Sequence, residues 1–219
     1  MLKITEIFYS LQGESTRAGK PCVFVRLAGC NLKCKWCDTN YATDTEKANE
    51  LSIIEIIDKV KTYDCNFVEI TGGEPLCQTE CIELTDRLLD LGYELAIETN
   101  GSLSIEKLRK DVIKIIDFKC PASGMSGYNM YENINYLTVK DELKFVVASK
   151  SDFDWSVDII NKYKLYDKVD NILFSAVASE ISYSELADLI LSFSNRVAKK
   201  VFRMQLQFHK IIWDDAIGR

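Results

Sequence analysis

The sequence has a single histidine and no block of concentrated positive charge. Its opening residues, Met1-Leu2-Lys3-Ile4-Thr5-Glu6, lack the basic stretch and apolar run of a secretory signal. Apolar runs such as Ile53-Ile54-Glu55-Ile56-Ile57 are interrupted by charge far short of a bilayer's width, so no membrane span is expected. With a net charge of -6 and mixed signs along the chain, direct nucleic-acid binding is not favoured. There is no internal repeat, no low-complexity segment and no linker rich in Pro, Gly or Ser. These absences leave an ordinary cytoplasmic globular chain, 47% apolar and 27% charged. Its 219 residues suit one α/β domain over 1–219 with a full core.

Short apolar runs alternate with helical patterns. Strands are expected at Cys22–Leu27, Phe67–Thr71, Glu94–Glu98, Ile113–Phe118, Leu143–Ala148, Asn171–Ala176 and Val201–Gln207. Ser52 with Glu55, and Ser182 with Glu185, are capping-box pairs that open helices reaching about Tyr63 and Asn195. A third helix is expected over Thr79–Leu91, stopped by Gly92, and a fourth over Ser151–Lys164 with Ser151 as its cap. Such alternation implies parallel βαβ units, in a doubly wound sheet or a barrel. The long connection over 28–50 interrupts this rhythm after the first of these strands, and long loops in compact domains are usually functional.

Eight cysteines are many for such a chain, and three of them, Cys30, Cys34 and Cys37, crowd into that connection. Clustering of this kind in a cytosolic protein points to metal or redox chemistry. The scattered Cys22, Cys65, Cys77, Cys81 and Cys120 read as core or surface residues. A structural zinc site closes with four ligands, which here requires Cys22, another cysteine or His209, and no second pair has zinc-finger spacing. An electron-transfer [4Fe-4S] cluster usually takes four cysteines, so three leave one iron open to a small molecule.

The C-x3-C-x2-C spacing, with Trp36 before the third cysteine, resembles the signature of the radical S-adenosylmethionine (SAM) superfamily. That resemblance implies an incomplete (β/α)6-type TIM barrel of parallel strands. It also implies that the open iron binds SAM, whose cleavage yields a 5′-deoxyadenosyl radical. Thr71-Gly72-Gly73-Glu74-Pro75 follows a strand and resembles the superfamily's GGEP motif at the SAM amino group. Glu98-Thr99-Asn100-Gly101 and Asp117-Phe118-Lys119-Cys120-Pro121 follow the next two strands, at the strand ends that carry sites in α/β folds. By the same resemblance Trp36, Asp38, Gly72, Gly73, Glu74, Glu98, Lys119 and Ser175 are expected at SAM, as is the connection over 122–136.

A finer resemblance rests on Leu11-Gln12-Gly13-Glu14, on Phe24 to Thr39 around the cysteines, and on Gln205-Leu206-Gln207-Phe208-His209-Lys210. Together these resemble the 7-carboxy-7-deazaguanine synthases over nearly the whole chain. The resemblance implies ring contraction of 6-carboxy-5,6,7,8-tetrahydropterin to 7-carboxy-7-deazaguanine, with loss of ammonia, assisted by Mg²⁺, on the way to queuosine and related deazapurines. It also implies a homodimer and a reductant such as flavodoxin or ferredoxin. Leu11, Gln12, Gly13 and Glu14 would read the pterin edge, since an amide offers donors and an acceptor. Arg26 would fork onto the carboxylate, and Thr71 would touch substrate. His209 would serve proton transfer or carboxylate binding, and Thr39 would hold Mg²⁺. Two alternatives stand beside this reading: an activase of a glycyl-radical enzyme, and a zinc-stabilised interaction module.

Overall fold

The computed structural model describes residues 1–194, 202–214 and 216–218. Its strands are β1 (Leu2–Leu11), β2 (Pro21–Leu27), β3 (Asn49–Leu51), β4 (Phe67–Gly72), β5 (Glu94–Thr99), β6 (Ile113–Phe118), β7 (Glu142–Val147), β8 (Asn171–Ala176) and β9 (Phe202–Met204). They form one sheet in the order β3-β1-β2-β4-β5-β6-β7-β8-β9. From β2 through β4 to β9 every pairing is parallel, while β1 runs antiparallel to both β2 and β3. The first and last strands of that order do not pair, so the barrel is open, as expected. The antiparallel β1 and β3 are additions to the expected set. The last strand is shorter than Val201–Gln207: Val201 lies outside the described residues, and 205–207 leave the sheet.

Helices α1 (Ile53–Lys61), α2 (Cys81–Asp90), α3 (Lys150–Tyr163) and α4 (Tyr183–Ser194) cover one face, and α5 (Phe208–Trp213) follows β9. The capping boxes form as the residue pairs dictate. Glu55 N donates to Ser52 Oγ at 3.2 Å, and Ser52 N to Glu55 Oε2 at 2.7 Å. At α4 the distances are 3.2 Å (Glu185 N to Ser182 Oγ) and 3.0 Å (Ser182 N to Glu185 Oε2). The expected end of α4 near Asn195 lies outside the described residues. Gly92, at φ 87°, follows α2 in the left-handed region that glycine enters without strain. The cap of α3 is Ser149, not Ser151: Asp152 N donates to Ser149 Oγ at 3.3 Å. Asp152 selects that register, because its carboxylate accepts from Ala148 N at 3.1 Å and Ala122 N at 3.0 Å. Strand-helix alternation also fails twice, since β5–β6 and β6–β7 are joined by turns and short 3-10 segments.

The two faces of the sheet differ sharply. Val68, Ile70, Ile97, Ile116, Phe118, Phe145 and Phe174 point outward and pack in one core beneath the helices. The inner face changes character along its height. Near the strand starts it is apolar, with Phe24, Phe67, Ala96, Ile113 and Ile115 in one cluster. One step further along the same strands stand Arg26, Glu69, Glu98 and Asp117. The turn between β1 and β2 ties the base together. Arg17 reaches Glu142 at 2.8 Å and Glu94 at 3.3 Å, and Ser15 N donates to Gln205 Oε1 at 2.9 Å. The open barrel is thereby filled from within by its own N-terminal turn.

Candidate active site

The root of the cysteine loop is locked to the end of β4. Gly73 N donates to Leu27 O at 3.2 Å and Glu74 N to Gly29 O at 2.8 Å. This approach requires glycine, because a Cβ at Gly73 would sit 2.3 Å from Gly29 O and one at Gly72 would sit 2.2 Å from Leu27 O. Gln78 completes the anchor, its amide bonding Lys3 N at 2.8 Å, Lys3 O at 2.9 Å and Ala28 O at 3.0 Å. From this root Cys30, Cys34 and Cys37 all turn into one cavity of about 430 Å³. Burial pushes the Cys30 and Cys34 thiols upward, and Asn100 Nδ2 lies 3.8 Å from Cys30 Sγ. The other five cysteines do not line this cavity. Three convergent thiols without a fourth are the donor set that holds a four-iron cluster with one iron open.

A second wall, touching the cysteine loop at Asp38, is built by the β1–β2 turn and the C-terminal segment. Gln12 is buried, and both ends of its amide are fixed: Nε2 donates to Glu69 Oε2, and Oε1 accepts from Glu14 N at 2.9 Å. Glu14 accepts from Lys144 Nζ at 2.8 Å, Gln205 Nε2 at 2.9 Å and Gln207 Nε2 at 2.8 Å. Burial alone would raise its pKa, but the Lys144 ammonium outweighs burial and holds it below the usual carboxylate value. Phe208 N donates to Gly13 O at 3.0 Å, which brings α5 over the turn. His209 then packs so closely that a Cβ at Gly13 would lie 2.3 Å from its Nδ1. Burial lowers the His209 pKa, favouring the neutral ring.

Arg26 lines the cavity from β2 with its Nε on Glu6 at 2.8 Å. Its guanidinium carbon stands 5.7 Å from the Phe8 ring centre and 5.8 Å from that of Tyr41. Thr39 donates to Asp38 Oδ1 at 2.9 Å. Burial would raise Asp38, but Lys210, at 3.4 Å, and Lys144 hold it well below the usual range. Ligand atoms of Glu14, Asp38 and His209 lie within 4.8 Å of one another, two carboxylates and an imidazole, with Lys144 and Lys210 beside the carboxylates.

The cavity thus gathers most residues that the sequence singled out. Leu11, Gln12, Gly13, Glu14, Arg26, Trp36, Asp38, Thr39, Thr71, Gly72, Gly73, Glu98, Lys119 and His209 all line it with the three cysteines. Glu74 and Ser175 do not. Glu74 is fully buried behind the wall, accepting from Leu76 N at 3.0 Å, Thr99 Oγ1 at 2.8 Å and Asn100 N at 2.7 Å. It braces β4 against β5. Ser175 accepts from Gln205 Nε2 at 2.7 Å and holds the C-terminal segment. Residues 122–136 also stay outside the lining. They buttress the cysteine loop instead: Lys35 N donates to Ser123 O at 3.2 Å, and Lys33 N approaches Met125 Sδ at 3.5 Å.

Sequence reasoning missed Glu69 and Lys144, and gave no role to Asp117 although it marked its strand end; all three share the cavity. Burial, with Glu98 next, pushes Glu69 up to about 8. Asp117 pairs with Lys119 at 2.9 Å, while its Oδ1 is buried without a protein partner. The available signal was a charged residue inside an apolar strand run: Glu69 in β4, Lys144 in β7 and Asp117 next to the end of β6.

A family model described as the radical SAM superfamily matches residues 25–119. The chain is 38% identical over 226 residues to the 7-carboxy-7-deazaguanine synthase of Koribacter versatilis, with 97% of each chain covered. It is 40% identical over 221 residues to that of Chlorobaculum tepidum, covering 99% of this chain and 97% of the relative. With that of Thermoplasma acidophilum the identity is 36% over 217 residues, covering 98% and 99%. Among solved structures, QueE from Escherichia coli superposes with a TM-score of 0.74 at 23% identity, covering 93% of both chains, which establishes likeness of fold.

Proposed function

The chain belongs to the 7-carboxy-7-deazaguanine synthase family of radical SAM enzymes, and we propose from that premise how its cavity performs the reaction. The enzyme converts 6-carboxy-5,6,7,8-tetrahydropterin to 7-carboxy-7-deazaguanine, using a [4Fe-4S] cluster and SAM. Cys30, Cys34 and Cys37 would hold the cluster, which when bound would supply the electron that cleaves SAM to a hydrogen-abstracting radical. The observation that carries this reading is one cavity lined both by the three thiols and by Gln12, Glu14, Arg26 and His209.

In our reading SAM lies along Gly72, Gly73, Glu98 and Lys119, beside Trp36 and Asp38. Here the glycines expose backbone polar groups, and Lys119 offers a cation to the SAM carboxylate. The pterin lies against the β1–β2 turn. Leu11 and Gly13 read its edge through backbone groups, Thr71 adds a hydroxyl, and Glu14 accepts from its N–H groups. Arg26 retains guanidinium N–H groups beyond the Nε held by Glu6, and these take the substrate carboxylate. Neutral His209 is suited to accept a proton at the same end. Thr39, with Asp38 beside it, would offer its hydroxyl to Mg²⁺, a cation that prefers oxygen donors. Ammonia leaves as the ring contracts.

We further assign one domain over 1–219, a cytoplasmic location, a homodimer, and a low-potential carrier such as flavodoxin or ferredoxin as electron source. No helix among the described residues is long and apolar enough to cross a membrane. A glycyl-radical activase or a zinc-stabilised module would leave the buried carboxylates and lysine of this cavity without a purpose. The test is anaerobic turnover of the carboxytetrahydropterin with sub-stoichiometric SAM: many product molecules per SAM are expected, and none from a cluster-loaded enzyme would overturn the reading.

A further inference from the structure

Lys144 is a charge placed where the sheet needs none. It sits in β7, almost fully buried, between Leu143 and Phe145, which face the helices. Its ammonium bonds Glu14 Oε2 at 2.8 Å and Glu98 Oε1, and lies 3.7 Å from Asp117 Oδ2. These acids arrive from three separate places: the β1–β2 turn, β5 and β6. All three, with Lys144 itself, line the cavity. Buried ion pairs seldom stabilise a fold more than apolar residues of similar size would. The inner face already offers an apolar solution beside it, in Val146 on the same strand.

We propose that Lys144 is a positioning residue for the reaction, clamping Glu14 and Glu98 side by side as fixed anions on the cavity floor. The inference rests on the synthase reading above, which sets Glu14 toward the pterin and Glu98 toward SAM. The physical need is direct. Two carboxylates brought together in a dry site repel, and without a shared cation one takes up a proton and changes its hydrogen bonding. An ammonium between them offsets much of that repulsion, although burial, with Glu14 beside it, still raises the Glu98 pKa, and it fixes both side chains before ligand arrives, so binding does not have to order them. Gln205 and Gln207 hold Glu14 from its other side, so its remaining freedom is small.

The test compares Lys144→Met and Lys144→Arg with wild type, each loaded anaerobically, with iron content as the check on integrity. Equilibrium dialysis of the carboxytetrahydropterin against unreduced, SAM-loaded enzyme reads positioning apart from turnover. Lys144→Met is expected to keep its iron, to bind the pterin at least about tenfold more weakly, and to lose roughly a hundredfold in kcat/KM. Lys144→Arg, which keeps the charge, is expected to stay within about tenfold of wild type. Lys144→Met leaving binding and kcat/KM within about threefold of wild type would overturn the proposal. Should Lys144→Met fail to hold iron, Lys144→Arg decides: near-normal binding supports the role, and a loss as deep as roughly a hundredfold with the cluster intact refutes it. Wild-type turnover in the same assay separates a wrong role for Lys144 from a wrong functional reading.

Discussion

Glu69 shows what the cavity does to a carboxyl that has no cation of its own. It is 2% exposed, and its hydrogen-bond partner is the Gln12 amide, because the nearby lysine is committed to Glu14 and Glu98. A carboxyl with a native value near 8 and an ordinary unfolded value keeps its proton in the fold through neutral pH. The unfolded chain then binds fewer protons than the native one between about 4.5 and 8, so this group's contribution to stability falls as pH rises through that window. Glu69→Gln removes the penalty and keeps an acceptor for Gln12. The variant should match wild type in thermal stability below pH 4.5 and gain on it progressively up to about pH 8. Parallel melting curves across that range would contradict the assignment. Glu69 was hidden in the sequence by its company: within Phe67-Val68-Glu69-Ile70-Thr71 the apolar residues announce a buried strand, and a charge reads as an interruption. Its purpose becomes visible only when β5, β6 and β7 bring Glu98, Asp117 and Lys144 into the same cavity.

At the scale of elements, what the sequence revealed was what is decided locally. The capping boxes at Ser52 and Ser182 link residues three apart, and both form as read. Ser52→Ala should cost about 1 kcal/mol in chemical denaturation and leave activity unchanged, since α1 touches none of the cavity. Strand β1 was not read: its pairing with β3 is long-range, and its hairpin with β2 carries an irregularity between Ile4 and Glu6. The connection between β5 and β6 is likewise set at a distance: Asn133, far along the chain, accepts from Ile105 N at 3.1 Å and donates to Leu103 O at 2.9 Å. The Gly-Gly turn lies between these cases. Its motif was readable, but the reason for glycine is contact with the loop root. Gly73→Ala must displace Gly29 and Cys30, so the purified variant should carry well under half the wild-type iron while its far-UV circular dichroism stays native. Full iron loading in that variant would show that the close approach is dispensable.

The whole molecule separates its support from its chemistry. The helix-side core runs continuously under α1 to α4, and none of Cys30, Cys34 or Cys37 belongs to it. Removing the cluster with a chelator and reductant should therefore leave sheet and helix signals intact while abolishing SAM binding. Global unfolding on iron removal would mean that the cluster is a structural staple. The open barrel has its base closed by the N-terminal turn and its upper end occupied by the cysteine loop on one side and α5 on the other. That arrangement makes a single claim about where the two ligands meet. The direct measurement is an anaerobic crystal structure with SAM and the carboxytetrahydropterin bound. It should show SAM on the iron that no cysteine holds, and the pterin against Leu11–Glu14 with its carboxylate at Arg26. A protein side chain on that fourth iron, or a pterin bound away from the β1–β2 turn, would contradict the account.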